Sequence, residues 1–344
     1  MKTQEVRQEI TNKIIESMNA ETLPWRAPWD ANQTNIHSGM PTNIVSKQRY
    51  RGVNPILLMS AASLRGFKSK YWGTMKQWFH LGAVVKPPPK FDMGWGTDIL
   101  FSSAFERNRE SPIPNIKDKG FFSKLYKVYN ADQVESPTPE TILSYHGSRQ
   151  RRMARIYLNE SKKLNAQEAE LIHKTIQEKL DCFKNCLVID DNFEIAQNFV
   201  ASTCADVKHF GNKAVYWHAP LDYIQMPPQE RFNTLPDYYE TLYHELCHWA
   251  EAAHRLGPVK AYKENYPFGE LVAELGACFL AAETRLPMAS KMLPRSISYL
   301  QSWLWCMEKD VRYIFEASTQ ATKIVDYLLK LSTKETNHES QLQR

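Results

Sequence analysis

Several features are missing from this chain of 344 residues. Its longest apolar runs, residues 55–62 and 275–282, fall far short of the about 20 residues a membrane-spanning helix needs. The opening Met1-Lys2-Thr3-Gln4-Glu5 leads into a charged segment, so a secretory signal is not expected. The six cysteines (Cys182, Cys186, Cys204, Cys247, Cys278, Cys306) lie far apart and form no CxxC pair. That excludes a disulfide framework and a thiolate zinc site, and it fits a reducing cytoplasm. No internal repeat is present. What the chain does have is core-forming material, with 43% hydrophobic against 24% charged residues, at a length suited to two ordinary domains.

The net charge of +5 is unevenly spread. Residues 1–135 hold 19 Lys and Arg against 12 Asp and Glu, residues 136–189 hold 9 against 6, and residues 190–344 hold 15 against 20. A basic first half joined to an acidic second half suggests two tasks, the first involving a polyanion.

Four-residue spacing of Val6, Ile10, Ile14 and Met18 predicts an opening amphipathic helix. A polar loop is expected at 32–38, helices at 54–66 and 72–81, an extended spacer at 87–89, strands at 98–102 and 124–129, and a loop at 108–118 between them. Ser136-Pro137-Thr138-Pro139 marks a boundary, followed by a basic cluster at 149–155 and a charged helix at 165–184. The fold class read from this is α+β in two domains. Residues 1–135 form a small mixed domain and 136–189 a basic linker or inserted segment. Residues 190–331 form a mostly helical domain with a small sheet, and 332–344 a frayed polar tail. Within the helical domain, a strand is expected at 213–217 and an extended connection at 221–228.

The sharpest motif is His244-Glu245-Leu246-Cys247-His248. Its segment reads as a helix, with Asp237 as cap and Glu240 three residues on. One turn apart, His244 and His248 project from one face and can bind one Zn²⁺. Glu245 is placed to take a proton from a metal-polarised water. Two residues compete as third ligand. His254 follows His248 by six residues, but Glu251 stands where a glycine would turn the chain, and a continuing helix swings His254 about 240° away. Glu270 lies in Gly269-Glu270-Leu271-Val272-Ala273-Glu274, where Glu274, one turn on, can support a ligating imidazole. Ala273, Gly276 and Ala277 keep that helix slim enough to approach its neighbour. Glu270 is favoured. Residues 213–217 suggest an edge strand beside the cleft, where Tyr216 reads first as a core residue and second as an oxyanion donor.

Between Tyr50 and Tyr129 lie 14 aromatics in 80 residues, interleaved with lysines and arginines. Rings can stack on unpaired bases while cations follow phosphates. A single recognition helix rich in Arg and Asn is absent, so single-stranded DNA fits better than duplex. The candidate contacts are Arg49, Tyr50, Arg51, Lys70, Tyr71, Trp72, Lys76, Trp78 and Lys127.

Three segments, Tyr50-Arg51-Gly52-Val53-Asn54, Tyr71 to Trp78 and Val128 to Val134, resemble the N-terminal domain of the ArdC-type antirestriction proteins of conjugative plasmids. Ile224-Gln225-Met226-Pro227-Pro228, the HExxH segment, the stretch from Glu270 to Leu275 and residues 319–328 resemble that family's C-terminal domain. The resemblance implies a single-stranded DNA-binding domain followed by a zincin-like metallopeptidase domain. Together they would shield incoming plasmid DNA in the cytoplasm by acting on restriction enzymes or other DNA-bound proteins. It further implies a Zn²⁺ or other divalent ion such as Mn²⁺ on His244, His248 and Glu270, with Glu245 as catalytic acid/base. The alternative is a non-proteolytic DNA binder, acting by occlusion or as a replication or primase accessory, with a structural or vestigial metal site. No membrane partner is expected.

Overall fold

The computed structural model describes residues 3–20, 23–26, 39–89, 94–106, 119–137, 166–184, 193–257, 265–286 and 294–342. The expected loops at 32–38 and 108–118 and the basic cluster at 149–155 lie outside these residues, as do Phe91 and the side chains of Phe105, Phe121 and Phe122. The structure is α+β and divides into two compact units, neither a continuous run of sequence. One comprises Met1–Lys13, Thr42–Gln48 and Tyr71–Asn185; the other comprises Ile14–Pro41, Arg49–Lys70 and Cys186–Arg344. Helix α1 (Thr3–Asn19) begins in the first unit and ends in the second. It buries Val6, Ile10, Ile14 and Met18, as their spacing predicts.

The first unit is built on a sheet of order β1-β2-β5-β4. β1 (Thr42–Asn43) runs parallel to β2 (Tyr71–Thr74), and β2 is antiparallel to β5 (Lys119–Asn130). β4 (Thr97–Glu106) pairs with β5 from Thr97↔Val128 to Glu106↔Lys119. β3 (Val84–Val85) and β6 (Val134–Glu135) make a separate antiparallel pair. The expected helix at 72–81 is thus a strand followed by the short α3 (Met75–His80). Thr74 starts α3 with a capping box: its hydroxyl accepts from Gln77 N at 3.2 Å, and Gln77 Oε1 accepts from Thr74 N at 2.8 Å. Gly73 must lack a side chain, because a Cβ there would meet Ile44 Cγ2 at 2.6 Å.

The segment read as a basic linker or inserted segment holds a packed helix. Within 136–189, α4 (Ala166–Lys184) lays Ile176 and Leu180 into the same buried cluster as Ile44, Trp78, Ala83, Val85, Ala131 and Val134. Its apolar residues recur at helical spacing, and burial of that stripe makes it core.

The second unit takes in α2 (Asn54–Arg65), a helix assigned by sequence to the first domain. Pro55 opens α2, Gly66 closes it at φ +66°, and Ile56, Leu58 and Met59 are buried. After α5 (Glu194–Ser202) comes a sheet of order β7-β9-β8, from β7 (Val207–His209), β8 (Val215–Trp217) and β9 (Tyr223–Met226). The expected extended connection at 221–228 therefore contains the central strand. Then follow α6 (Leu235–Ala250), α7 (Tyr266–Thr284), α8 (Pro294–Lys309) and α9 (Tyr313–Leu342). Thr234, not Asp237, caps α6, its hydroxyl accepting from Asp237 N at 3.2 Å. The expected frayed tail is helical to Leu342. No described helix is long and apolar enough to cross a membrane.

Leu180, 2% exposed, tests whether α4 belongs to the core. Leu180→Ala should cost about 2–5 kcal/mol in urea unfolding, as for a core leucine. A change within about 0.5 kcal/mol, as for a surface site, would return α4 to the status of a tether.

Candidate metal centre

The sequence around α6 is helical by composition and amphipathic by pattern, so His244 and His248 emerge one turn apart. Their Nε2 atoms stand 3.1 Å from each other. α7 packs alongside and brings Glu270 to both: its Oε2 lies 3.3 Å from His244 Nε2 and its Oε1 3.5 Å from His248 Nε2. One ligand atom from each of these three residues fits within a span of 4.8 Å. The close approach depends on Gly276, where a Cβ would fall 2.5 Å from Cys247 Sγ. Of the two candidates for third ligand, Glu270 is therefore the one brought to the imidazoles. His254 instead faces Asp222, its Nε2 3.3 Å from Oδ2.

The donors are electrostatically coupled. Burial would raise the Glu270 carboxyl, but hydrogen bonds from the two imidazoles outweigh it and hold Glu270 well below the usual carboxylate range. Burial opposes the His248 imidazolium, yet Glu270, Glu245 and Glu251 together lift it above its ordinary value. Two imidazoles and a carboxylate, converging with His244 and Glu270 buried and His248 partly so, form a donor set suited to a divalent ion.

Glu245 is 2% exposed and reaches toward the sheet, where its Oε2 accepts from Tyr216 N at 2.8 Å. β8 is an edge strand, as the sequence suggests, and this amide points away from β9. Tyr216 is 4% exposed, and its phenol donates to Asp222 Oδ1 at 2.6 Å. Arg255 grips the same carboxylate with both terminal nitrogens, at 3.0 and 2.7 Å, and lies 3.7 Å over the Trp249 ring. Asp222 is held down to about 2, first by the hydrogen bond from Arg255. This cluster ties the β8–β9 connection to the end of α6.

Glu274, expected to support an imidazole, accepts from Arg26 Nε at 2.8 Å. The same guanidinium bonds Glu240 on α6, and all three side chains are buried. Arg26 thus joins α6 to α7 one turn along from the donors. Sequence reasoning missed it. The available signal was Glu240 and Glu274 on apolar helix faces, since a buried carboxylate requires a partner.

The candidate DNA contacts are divided between the two units. Arg49, Tyr50, Arg51 and Lys70 fall in the second unit; Tyr71, Trp72, Lys76, Trp78 and Lys127 fall in the first. Trp72 and Trp78 are 1% and 0% exposed, so no base can stack on them, and Trp78 Nε1 donates to Tyr129 O at 3.0 Å. Arg49 pairs with Glu283 at 2.8 Å and Asp326 at 3.4 Å, and Arg51 also pairs with Asp326. Tyr71 is half-buried against Phe183, with Lys47 4.9 Å from its centroid. Lys127 pairs with Asp98 at 3.0 Å, while Lys76 is exposed. These signals are compositional, and composition does not separate core rings from surface rings. Among the described side chains of the β4–β5 pair, the exposed rings are Phe101 and Tyr126, edge to face with centroids 5.8 Å apart, and Lys124 Nζ sits 5.3 Å from the Tyr126 centroid.

Residues 4–134 match the family described as the N-terminal domain of anti-restriction factor ArdC, and residues 194–320 match the zincin-like metallopeptidase family. Protein y4eC of Sinorhizobium fredii (strain NBRC 101917 / NGR234) is 27% identical over 332 residues, covering 94% of this chain and 91% of its own. Two Escherichia coli proteins named DNA primase TraC are 25% and 24% identical, and the chain spans 20% and 27% of their lengths. Crystal structures of the antirestriction ArdC protein from plasmid R388 are similar throughout. The metal-free form gives a TM-score of 0.66 at 28% identity, covering 95% of this chain and 98% of that one. The Mn(II)-bound form gives 0.62 at 29%, covering 95% and 97%.

Two substitutions test the supports. Arg26→Met strands two buried carboxylates and should cost about 3–5 kcal/mol by denaturant titration; a loss under about 1 kcal/mol would mean the helices do not need the clamp. Asp222→Asn should lower stability above about pH 4, because the depressed carboxyl stabilises the fold above its unfolded pKa. As pH falls through about 2 the difference from wild type should vanish; melting curves across that range that run parallel would contradict the pairing.

Proposed function

Since this chain belongs to the ArdC-type antirestriction family, with an ArdC N-terminal domain and a zincin-like metallopeptidase domain, we propose that it binds single-stranded DNA and cleaves DNA-associated proteins at a divalent metal centre. The observation that carries the enzymatic part is the convergence of His244, His248 and Glu270, with Glu245 in the turn between the two histidines. When bound by these three, Zn²⁺ or Mn²⁺ would polarise a peptide carbonyl and a water. Glu245 would take a proton from a water attacking the peptide carbonyl and pass it to the amine nitrogen as the C–N bond breaks. Its hydrogen bond from Tyr216 N orients the carboxylate for this role. On the β8 edge the Tyr216 amide is taken by Glu245, and the Tyr216 carbonyl is the group an extended peptide would meet. Tyr216 itself keeps its phenol on Asp222, which supports a structural role for it.

DNA binding is assigned to the first unit, on the exposed face of β4 and β5 that carries Phe101, Tyr126 and Lys124. This platform replaces the buried Trp72 and Trp78 as the stacking surface. Binding DNA concentrates the peptidase beside proteins on the same strand, raising their effective concentration. The work is placed in the cytoplasm, on restriction enzymes or other DNA-bound proteins that meet an incoming plasmid.

Glu245→Gln should abolish proteolysis and restriction protection in a plasmid-transfer assay while keeping metal and DNA binding. Full protection by this variant would favour occlusion without proteolysis. Phe101→Ala with Tyr126→Ala should weaken single-stranded DNA binding about tenfold or more, from a stacking contribution of about 1–3 kcal/mol per base. Binding should also fall linearly in log K against log salt; a flat plot would rule out phosphate contacts.

A further inference from the structure

The three-stranded sheet of the second unit has two unlike faces. Tyr216, Ile224 and Met226 lie buried on one. Side chains alternate along a strand, so Trp217 of β8 and Tyr223 of β9 turn to the other, where they are cross-strand partners. Phe210, just past β7, joins them, its ring centroid 6.2 Å from that of Tyr223. Trp217 is 42% exposed, Phe210 is 45% exposed, and Tyr223 is half-buried. These rings are held in place. Trp217 Nε1 donates to Gln225 Oε1 at 3.0 Å, and Gln225 Nε2 donates to Phe210 O at 3.3 Å. Gly211, at φ +70°, lies so close to that amide that a Cβ there would meet Gln225 Nε2 at 2.9 Å. An exposed ring that is already fixed has little side-chain entropy to lose when a flat group stacks on it.

Charge selects the ligand. Lys208 Nζ stands 4.2 Å from the Tyr223 centroid. Within residues 206–225 the chain has two carboxylates, and both are engaged: Asp206 by Lys208 at 3.1 Å and Asp222 by Arg255 at 2.7 Å. Lys213, exposed just before β8, makes no ion pair among the described residues. Rings on a sheet face stack unpaired bases, and ammonium groups beside them meet the phosphates. An apolar protein partner would be served by the rings alone; the cations favour a polyanion with flat groups.

We propose that this outer sheet face, with Phe210, Trp217, Tyr223, Lys208 and Lys213, is a second platform for single-stranded DNA, carried by the peptidase unit itself. It rests on the reading that the chain binds such DNA, and it adds a site to the one assigned to β4 and β5. Tyr216 and Trp217 are consecutive on β8 and face opposite ways: the amide of the first holds Glu245, and the ring of the second meets a base. A strand lying on this face brings the proteins bound to it to the edge strand that borders the proposed catalytic carboxylate.

The test is ultraviolet crosslinking of the full chain to oligothymidylate carrying 5-iododeoxyuridine, with the crosslinked residues mapped by mass spectrometry. Wild type should crosslink at Phe210, Trp217 or Tyr223. Affinity for the same oligonucleotide is read in a chain already carrying Phe101→Ala and Tyr126→Ala, so that the first platform does not mask the second. Adding Trp217→Ala should weaken the residual binding about tenfold, and Trp217→Phe by less, because a ring remains. Lys213→Gln should lower the slope of log K against log salt by about one. Each variant should melt at the temperature of its parent; should Trp217→Ala melt lower, the wild-type crosslinks and the Lys213→Gln slope decide. Crosslinks confined to residues outside 208–225, or a residual affinity within about twofold of its parent, would overturn this inference and leave DNA binding to the first unit. Protection of Trp217 in radical footprinting by unfolded casein, and not by oligothymidylate, would make the face a protein-docking surface and overturn it equally. A wild-type chain that binds no oligothymidylate would overturn both this inference and the DNA reading beneath it.

Discussion

One buried guanidinium sets the geometry on which the rest of the second unit depends. Arg26 lies between Glu240 of α6 and Glu274 of α7, and burial removes water as an alternative partner for any of the three. Two carboxylates share one guanidinium inside the unit. Burial opposes the charge on Arg26, but the two carboxylates outweigh it and hold Arg26 firmly protonated. Such a group is costly to bury and more costly to break, so the arrangement specifies how two particular helices face each other. One turn along the same faces of those helices stand His244, His248 and Glu270, whose convergence needs that facing.

Packing and electrostatics agree at this seam. Gly276 lets α7 close on Cys247 of α6, and the Tyr243 hydroxyl donates to Thr284 Oγ1 at 3.0 Å farther along. Glu245 leaves the same helix toward the edge strand, and the Asp222–Arg255 pair holds that strand's connection to the helix end. The proposed catalytic carboxylate thus has a fixed partner, as do the proposed ligands. A site assembled this way keeps little freedom to lose when a ligand binds, which is the physical content of preorganisation.

What could be read from the sequence was local. Val6, Ile10, Ile14 and Met18 marked a buried stripe because helical periodicity needs no knowledge of a partner. The HExxH spacing and the slim face around Gly276 pointed to Glu270 on the same basis. Non-local facts were hidden. Arg26 looked like one more basic residue in a proline- and tryptophan-rich turn, and its partners lie more than two hundred residues away. Tyr223–Met226 is short and flanked by prolines, so nothing local marked it as the centre of a sheet. The aromatic-rich first half misled for a related reason: Trp72 and Trp78 are core residues, while the less conspicuous Phe101 and Tyr126 reach solvent. The grouping of 49–70 with the second unit follows from ion pairs to Glu283 and Asp326 that no local pattern announces.

The central claim is that three side chains on two helices hold one divalent ion. Metal content after loading and exhaustive dialysis, measured by plasma mass spectrometry on wild type beside Glu270→Ala and His254→Ala, tests it most directly. The account predicts close to one ion per chain for wild type and for His254→Ala, and a large loss for Glu270→Ala. Full occupancy in Glu270→Ala, or loss in His254→Ala, would contradict it.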